Sequence, residues 1–144
     1  ANVIVQLQPT CPFVPTEKID ESIKKVVEGS DCSVSLRKIG HEHPYRSKKI
    51  MQDESFASFI EGIDVEKYQN RQDLPPAYCT TGAIYTRRRN LLENWSGKDF
   101  CLGQNPKAII LNDIEGINID NLIDFEFAEF IMEKKKLKNK LKIK

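Results

Sequence analysis

The sequence predicts an α/β protein built on a sheet with helices on both faces, and three observations carry that reading. "NVIVQLQ" at residues 2–8 is a nearly continuous apolar run rich in β-branched residues, the pattern of a strand covered on both sides. "TEKIDESIKKVVEG" at 16–29 places Ile19, Ile23, Val26 and Val27 on one stripe of a helix. "CSVSLRK" at 32–38 then reads as a second strand. Strand, helix and strand in that order form the unit from which parallel sheets are assembled.

The remaining elements follow in turn. Pro9 and Pro12 end the first strand, because proline cannot donate to a ladder. Thr16 is placed to cap the first helix, Glu17 lies in its first turn, and Gly29 stands at its end. "GAIYT" at 82–86 predicts another buried strand, "RRNLLEN" at 88–94 a short helix, and "KAIIL" at 107–111 a further strand. "INIDNLIDFEFAEFIMEKKK" predicts a turn entering the last helix, with Ile123, Phe127, Phe130 and Ile131 on its buried face. Residues 40–80 differ in character: polar, proline-bearing and aromatic, with a helical patch expected near "SFASFIEGI". A stretch of this length is a functional excursion or an interface arm.

Composition excludes several classes. At 144 residues the chain is long enough for one domain with a core of its own. A hydrophobic fraction of 40% and a charged fraction of 30% are those of an ordinary globular protein. No apolar run approaches the ~20 residues a membrane helix needs, and no secretory leader is visible, so a cytoplasmic protein with no membrane partner is expected. Cys11, Cys32, Cys79 and Cys101 are too widely spaced for a zinc site or a disulfide framework and are expected as thiols. The last twelve residues hold seven Lys and one Glu, a balance of +6 against a total of +1. With Leu137, Leu141 and Ile143 among the lysines, this tail reads as a solvated extension of the last helix, and no nucleic-acid partner is expected.

In open α/β sheets ligands bind beyond the carboxyl ends of the strands. That directs attention to Gln8, Pro9 and Thr10 after the first strand, to Tyr85, and to Asn118 and Asp120 before the last helix. Each also has a plainer reading: Gln8 ends a strand, Tyr85 is core, and Asp120 caps its helix.

Taken together, "LQPTCP", "HPYR", "RQDLPPAYCTTGAIY" and "INIDNLIDFEFAE" resemble, in order, the "LQPTSP", "HHPxK", "RQxLPxxYxxNGAIY" and "DIDTxxDFxxAE" blocks of the acylneuraminate cytidylyltransferases, or CMP-sialic acid synthetases. The resemblance runs from about Val3 to Glu129. It implies a Rossmann-like nucleotidyltransferase sheet in which residues 40–80 form a dimerisation arm carrying cations to the partner's site. It also implies that residues 1–144 are the carboxyl-terminal part of a single cytidylyltransferase domain. The family's glycine-rich, basic nucleotide loop has no match here, and that amino-terminal part is expected to be missing.

The implied activity is transfer of CMP from CTP to the anomeric hydroxyl of a nine-carbon acidic keto sugar, an N-acylneuraminate or a legionaminic or pseudaminic relative, with release of pyrophosphate. Mg²⁺ is the implied cofactor, a homodimer the implied state, and this fragment alone is expected to be inactive. The alternative is a catalytically inactive truncated homologue that dimerises or binds a partner. By resemblance, Gln8 and Thr10 contact the sugar, Arg71 faces its acidic end, and Tyr85 lines its pocket. Arg46 stands where the family has lysine. Asp120 and Asn118 stand at the metal position, Asp120 and Arg71 being the catalytic candidates. Two departures are clear. Asn118 replaces the first aspartate of "DIDT", removing a negative charge that favours Mg²⁺, and Thr81 replaces the asparagine of "NGAIY" in the sugar pocket. His41 and His43 are read as loop residues.

Overall fold

The computed structural model describes residues 1–142, apart from the side chains of Val65 and of 137–142. The tail residues Leu137, Leu141 and Ile143 named above therefore lie outside the described side chains. The chain divides into two compact units, one formed by Ala1–Arg37 with the chain from Thr80 onward, the other by Lys38–Cys79.

In the first unit, β1 (Val3–Leu7), α1 (Thr16–Val27) and β2 (Cys32–Lys38) follow the predicted order. β5 (Tyr78–Arg88), α2 (Arg89–Glu93), β6 (Pro106–Leu111) and α3 (Leu122–Lys142) complete it. The sheet order is β1-β5-β2-β6. β2 and β6 are parallel, with Ser35 opposite Ile109. β1 and β5 are antiparallel, with Gln6 opposite Tyr85. Mixed pairing therefore corrects the parallel sheet expected from the strand–helix–strand unit: the long β5 inserts between β1 and β2, and sequence order alone does not reveal an inserted strand.

Ile84 and Ile109 are fully buried and Leu111 nearly so. With Cys11 and Ala83 they form the main core, against which Val5, Val14 and Ile19 pack. Each such aliphatic side chain contributes about 1.5–3 kcal/mol on burial. Ile19 reaches this core from α1, and hydroxyls add a polar contact between α1 and the sheet. Ser22 Oγ lies 2.7 Å from Thr86 Oγ1, and Ser33 Oγ donates to the Ser22 carbonyl at 2.8 Å. Ser22, Ser33, Ser35 and Thr86 are all fully buried. Small side chains admit close approach, and each hydroxyl carries its own hydrogen-bond partner.

α1 is entered from Pro15, whose position offers no side-chain cap. Thr16 is thus the first helical residue rather than the cap, a one-residue displacement. The helix buries Ser22 and Val26, whereas Val27, placed on the inner stripe by periodicity, is 68% exposed. Gly29 ends it at φ +123°. α3 differs more. Its inner face is Ala128 and Ile131, seated on Phe13, Ile117 and Ile119, with the Lys135 ammonium 4.9 Å from the Phe13 ring centroid. Ile123, Phe127 and Phe130, expected on the buried face with Ile131, are exposed. The small Ala128 lets the helix approach closely, and this sets its rotation.

The Lys38–Cys79 unit holds the hairpin β3 (Lys48–Ile50) and β4 (Phe56–Ser58), with Ile50 opposite Phe56. Short 3₁₀ turns cover Pro44–Arg46, Val65–Tyr68 and Arg71–Asp73. The expected helix over "SFASFIEGI" is a strand and a turn instead. Asp53 Oδ1 accepts from the Ser55 N–H at 3.1 Å and its hydroxyl at 2.6 Å, an Asx turn that returns the chain toward Lys48.

Candidate functional site

The carboxyl end of β1 is extended by one residue, the Gln8 N–H donating to the Ala83 carbonyl at 3.3 Å. Proline then ends the ladder, and the Cys11 N–H closes a turn on the Gln8 carbonyl at 3.1 Å. Within that turn Gln8 and Thr10 are exposed while Cys11 is buried. The Ile119 N–H donates to the Thr10 carbonyl at 2.9 Å. This bond joins the turn after β1 to the Asn118–Asp120 segment. Two candidate regions more than a hundred positions apart in sequence are thereby adjacent.

Asp120 does not cap α3. Asn121 does so: its Oδ1 accepts from the Asp124 N–H at 3.0 Å, and Asp124 Oδ2 accepts in return from the N–H groups of Asn121 and Asp120. This reciprocal arrangement is a capping box. The Asp120 carboxylate is left to another partner, Asn118, whose Nδ2 donates to both carboxylate oxygens at 2.8 Å each. Behind it, Cys11 Sγ donates to Asn118 Oδ1 at 3.5 Å. Burial pushes the Cys11 thiol above its ordinary range, the hydrogen bond to Thr10 opposing and the Asp120 charge reinforcing.

The family resemblance implies Mg²⁺ at this position. Among the described residues no group of three or more His, Cys, Asp or Glu stands together to hold a metal. One hard carboxylate at an exposed turn still fits Mg²⁺, which needs one or two protein carboxylates and takes its other oxygens from phosphate and water. Asp120, exposed at this turn, is the carboxylate that could hold such an ion. Asn118, as oriented, offers the carboxylate its N–H groups and gives no oxygen to a cation beside it.

Thr81 is 8% exposed, and its hydroxyl lies 2.7 Å from Ser35 Oγ. Ser35 Oγ in turn accepts from the Ile84 N–H at 2.8 Å. The Thr81 hydroxyl is thus engaged inside the sheet. Gly82 follows with φ +76°, and a Cβ there would meet nothing within 4 Å, so the backbone angle alone selects glycine. Tyr85 is half-buried, with the Arg87 guanidinium 4.7 Å from its ring centroid. Sequence reasoning missed Arg87. It is 8% exposed and donates to the Cys101 carbonyl, the Phe100 carbonyl and Gln6 Oε1. No sequence signal separates it from Arg88 and Arg89, which follow it directly.

Arg46 and Arg71 belong to the other unit. Arg46 donates to the Gln69 carbonyl at 2.8 Å, and Arg71 is exposed at the start of its 3₁₀ turn. His41 is exposed, but His43 is buried and pins the unit. Its Nδ1 accepts from the Tyr45 N–H at 3.2 Å, and Nε2 lies 3.0 Å from the Pro75 carbonyl. Reading His43 as a plain loop residue missed that structural role.

No protein-family model matches the chain. Curated relatives do. The chain is 30% identical over 131 residues to an N-acylneuraminate cytidylyltransferase of Escherichia coli, covering 90% of this chain and 29% of that protein. It is 28% identical over 99 residues to a CMP-N,N'-diacetyllegionaminic acid synthase of Campylobacter jejuni, 68% of this chain and 39% of the relative. A post-translational flagellin modification protein B of Campylobacter coli is 21% identical over 140 residues, 96% of this chain and 56% of the relative. The chain therefore spans between about a third and just over half the length of these relatives.

Proposed function

We propose that this chain, a relative of the acylneuraminate cytidylyltransferases, contributes the acidic-sugar side of a cytidylyltransferase site. The reaction is attack of the anomeric hydroxyl of a nine-carbon α-keto acid on the α-phosphate of CTP, with pyrophosphate leaving. The observation that carries this reading is the junction at the end of β1, where the Gln8–Cys11 turn and the Asn118–Asp120 segment share the Thr10–Ile119 hydrogen bond. Ligand sites of α/β sheets occupy that end of the strands. The N-acylneuraminate cytidylyltransferase and the CMP-N,N'-diacetyllegionaminic acid synthase among the relatives suggest the substrate class.

In this reading Gln8 and Thr10 present exposed polar side chains to sugar hydroxyls, and Tyr85 gives the pocket a flat wall. On the Lys38–Cys79 unit, the family resemblance assigns Arg71 to the sugar carboxylate, which a guanidinium matches bidentately, and Arg46 to added positive charge. Mg²⁺, when bound, would stabilise charge on phosphate oxygens, with Asp120 as its protein ligand. The chain acts in a homodimer through residues 40–80, and alone it does not turn CTP over.

Saturation-transfer NMR on the 144-residue chain tests the reading. N-acetylneuraminate or N,N'-diacetyllegionaminate should give saturation transfer that Arg71→Ala removes, while a coupled assay detects no pyrophosphate from CTP. A folded chain that binds neither acid would overturn the sugar-site assignment, and pyrophosphate release would overturn its inactivity.

One observation favours a second reading, that of a non-catalytic partner-binding protein. Ile123, Phe127 and Phe130 form a helical stripe that is 76%, 54% and 53% exposed, and apolar stripes of this kind mark association surfaces. Sedimentation showing a monomer at high concentration would exclude self-association as its use.

A further inference from the structure

We propose that Cys11 is a positioning residue that latches the Asn118 amide and thereby sets what Asp120 offers to a cation. The inference rests on the reading of Asp120 as the metal-holding carboxylate.

The orientation of the amide follows from chemistry. The two Asp120 oxygens lie 2.8 Å from one atom of the Asn118 side chain. A carboxylate only accepts, so that atom is Nδ2, and the oxygen faces the other way. What it faces is Cys11 Sγ, at 3.5 Å. The same thiol lies 3.9 Å from the Thr81 carbonyl, so of these two oxygen acceptors Asn118 is the nearer. Cys11 is 6% exposed and packed with Ala83, Ile84, Ile109 and Leu111. The donor is therefore fixed by the core, while the amide it holds is half-buried.

The latch has a cost for the cation. With Nδ2 turned to Asp120, the positive end of the amide dipole lies beside the carboxylate, and both oxygens already accept hydrogen bonds. A divalent ion must displace those bonds and gains no oxygen from Asn118. Rotation of the amide by half a turn would present Oδ1 beside Asp120 and supply a second oxygen ligand. The thiol opposes that rotation, because it would then face an NH₂ group. Cys11 thus holds the site in a low-affinity arrangement without itself touching the cation.

The test uses Mn²⁺ alone, titrated into the 144-residue chain and followed by water-proton relaxation, together with the Asn118 side-chain NH₂ resonances recorded without metal. Cys11→Val and Cys11→Ala remove the donor, the former nearly preserving volume, and Cys11→Ser keeps it. Both donorless variants should bind Mn²⁺ at least threefold more tightly and shift the Asn118 resonances. Cys11→Ser should stay within twofold of the parent with its resonances in place. Unchanged Asn118 resonances in a folded Cys11→Val chain, or unchanged Mn²⁺ affinity there while Asp120→Ala abolishes binding, would overturn the latch. Mn²⁺ binding indifferent to Asp120→Ala would instead overturn the metal reading of Asp120, and the latch with it.

Discussion

The Arg87 guanidinium lies 4.7 Å from the centroid of the Tyr85 ring, two residues along the same strand and on the same face. Arg87 also donates to the carbonyls of Cys101 and Phe100 at 3.0 Å. It therefore connects a candidate sugar-pocket residue to the loop before β6. Lysine cannot reproduce that fork. Arg87→Lys should leave the carbonyls short of donors and cost about 2–4 kcal/mol in urea unfolding. Trp95, the single tryptophan, bonds through Nε1 to Asp99 in this loop, so its emission should shift in the same variant. Parent-like stability and emission would refute the connection.

Gly103 has φ +70°, and a Cβ there would fall 2.5 Å from Asp31 Cβ. Gly103→Ala should therefore destabilise by more than the ~1–3 kcal/mol of a left-handed backbone alone. Gly82→Ala, in open space, should cost no more than that backbone share. Thermal unfolding of the pair decides, and equal losses would contradict the proposed clash.

Asp31 Oδ2 accepts from the N–H groups of Gln104 and Asn105 at 2.8 and 3.0 Å. These bonds hold the carboxyl below its ordinary range. A folded-state value below the unfolded one contributes stability that is complete above the unfolded pKa, near 3.9, and disappears as pH falls through the folded value. The parent should lose this contribution below about pH 4. Asp31→Asn should lack that part of the acid limb, seen as a flatter slope of unfolding free energy against pH. Identical slopes would show that the two N–H contacts do not favour the ionised form.

Cys32 is fully buried, donates to the Leu102 carbonyl at 3.0 Å, and has its thiol pushed up to about 11, chiefly by burial. The thiolate is the nucleophile. Iodoacetamide at pH 8 should leave Cys32 unmodified in the native chain and alkylate it in urea, as read by peptide mass. Native labelling would mean that the loop at Leu102 opens readily.

Much of the first unit was legible because its signals are local. The apolar run of β1, the periodicity of α1 and the β-branched run of β6 each specify their own element. The hairpin was not. Phe56, Phe59, Ile60 and Ile63 recur at helical spacing, and only pairing with Lys48–Ile50 makes Phe56–Ser58 a strand. The rotation of α3 was misread because its largest side chains mark the stripe, whereas the small Ala128 sets the closest approach. Gln8, Thr10, Asn118 and Asp120 could be named from their places at strand and helix ends. Their assembly through Thr10 and Ile119, and the thiol behind Asn118, depend on a contact across more than a hundred residues. Arg87 was invisible, since a buried arginine among three consecutive arginines reads as a solvated face.

The hydroxyl contact between α1 and the sheet has a calorimetric consequence. Apolar surface exposed on melting raises the heat capacity and polar surface lowers it. A seam of Ser22, Ser33 and Thr86, with Ser35 also buried within the sheet, adds polar surface to the interior and shifts that balance toward the polar side. The increment on melting should fall below the roughly 1.7–2.2 kcal/mol/K ordinary for a chain of this length. Its free-energy curve against temperature should accordingly be broad and shallow, changing little across the range in which most proteins of this size gain and lose stability.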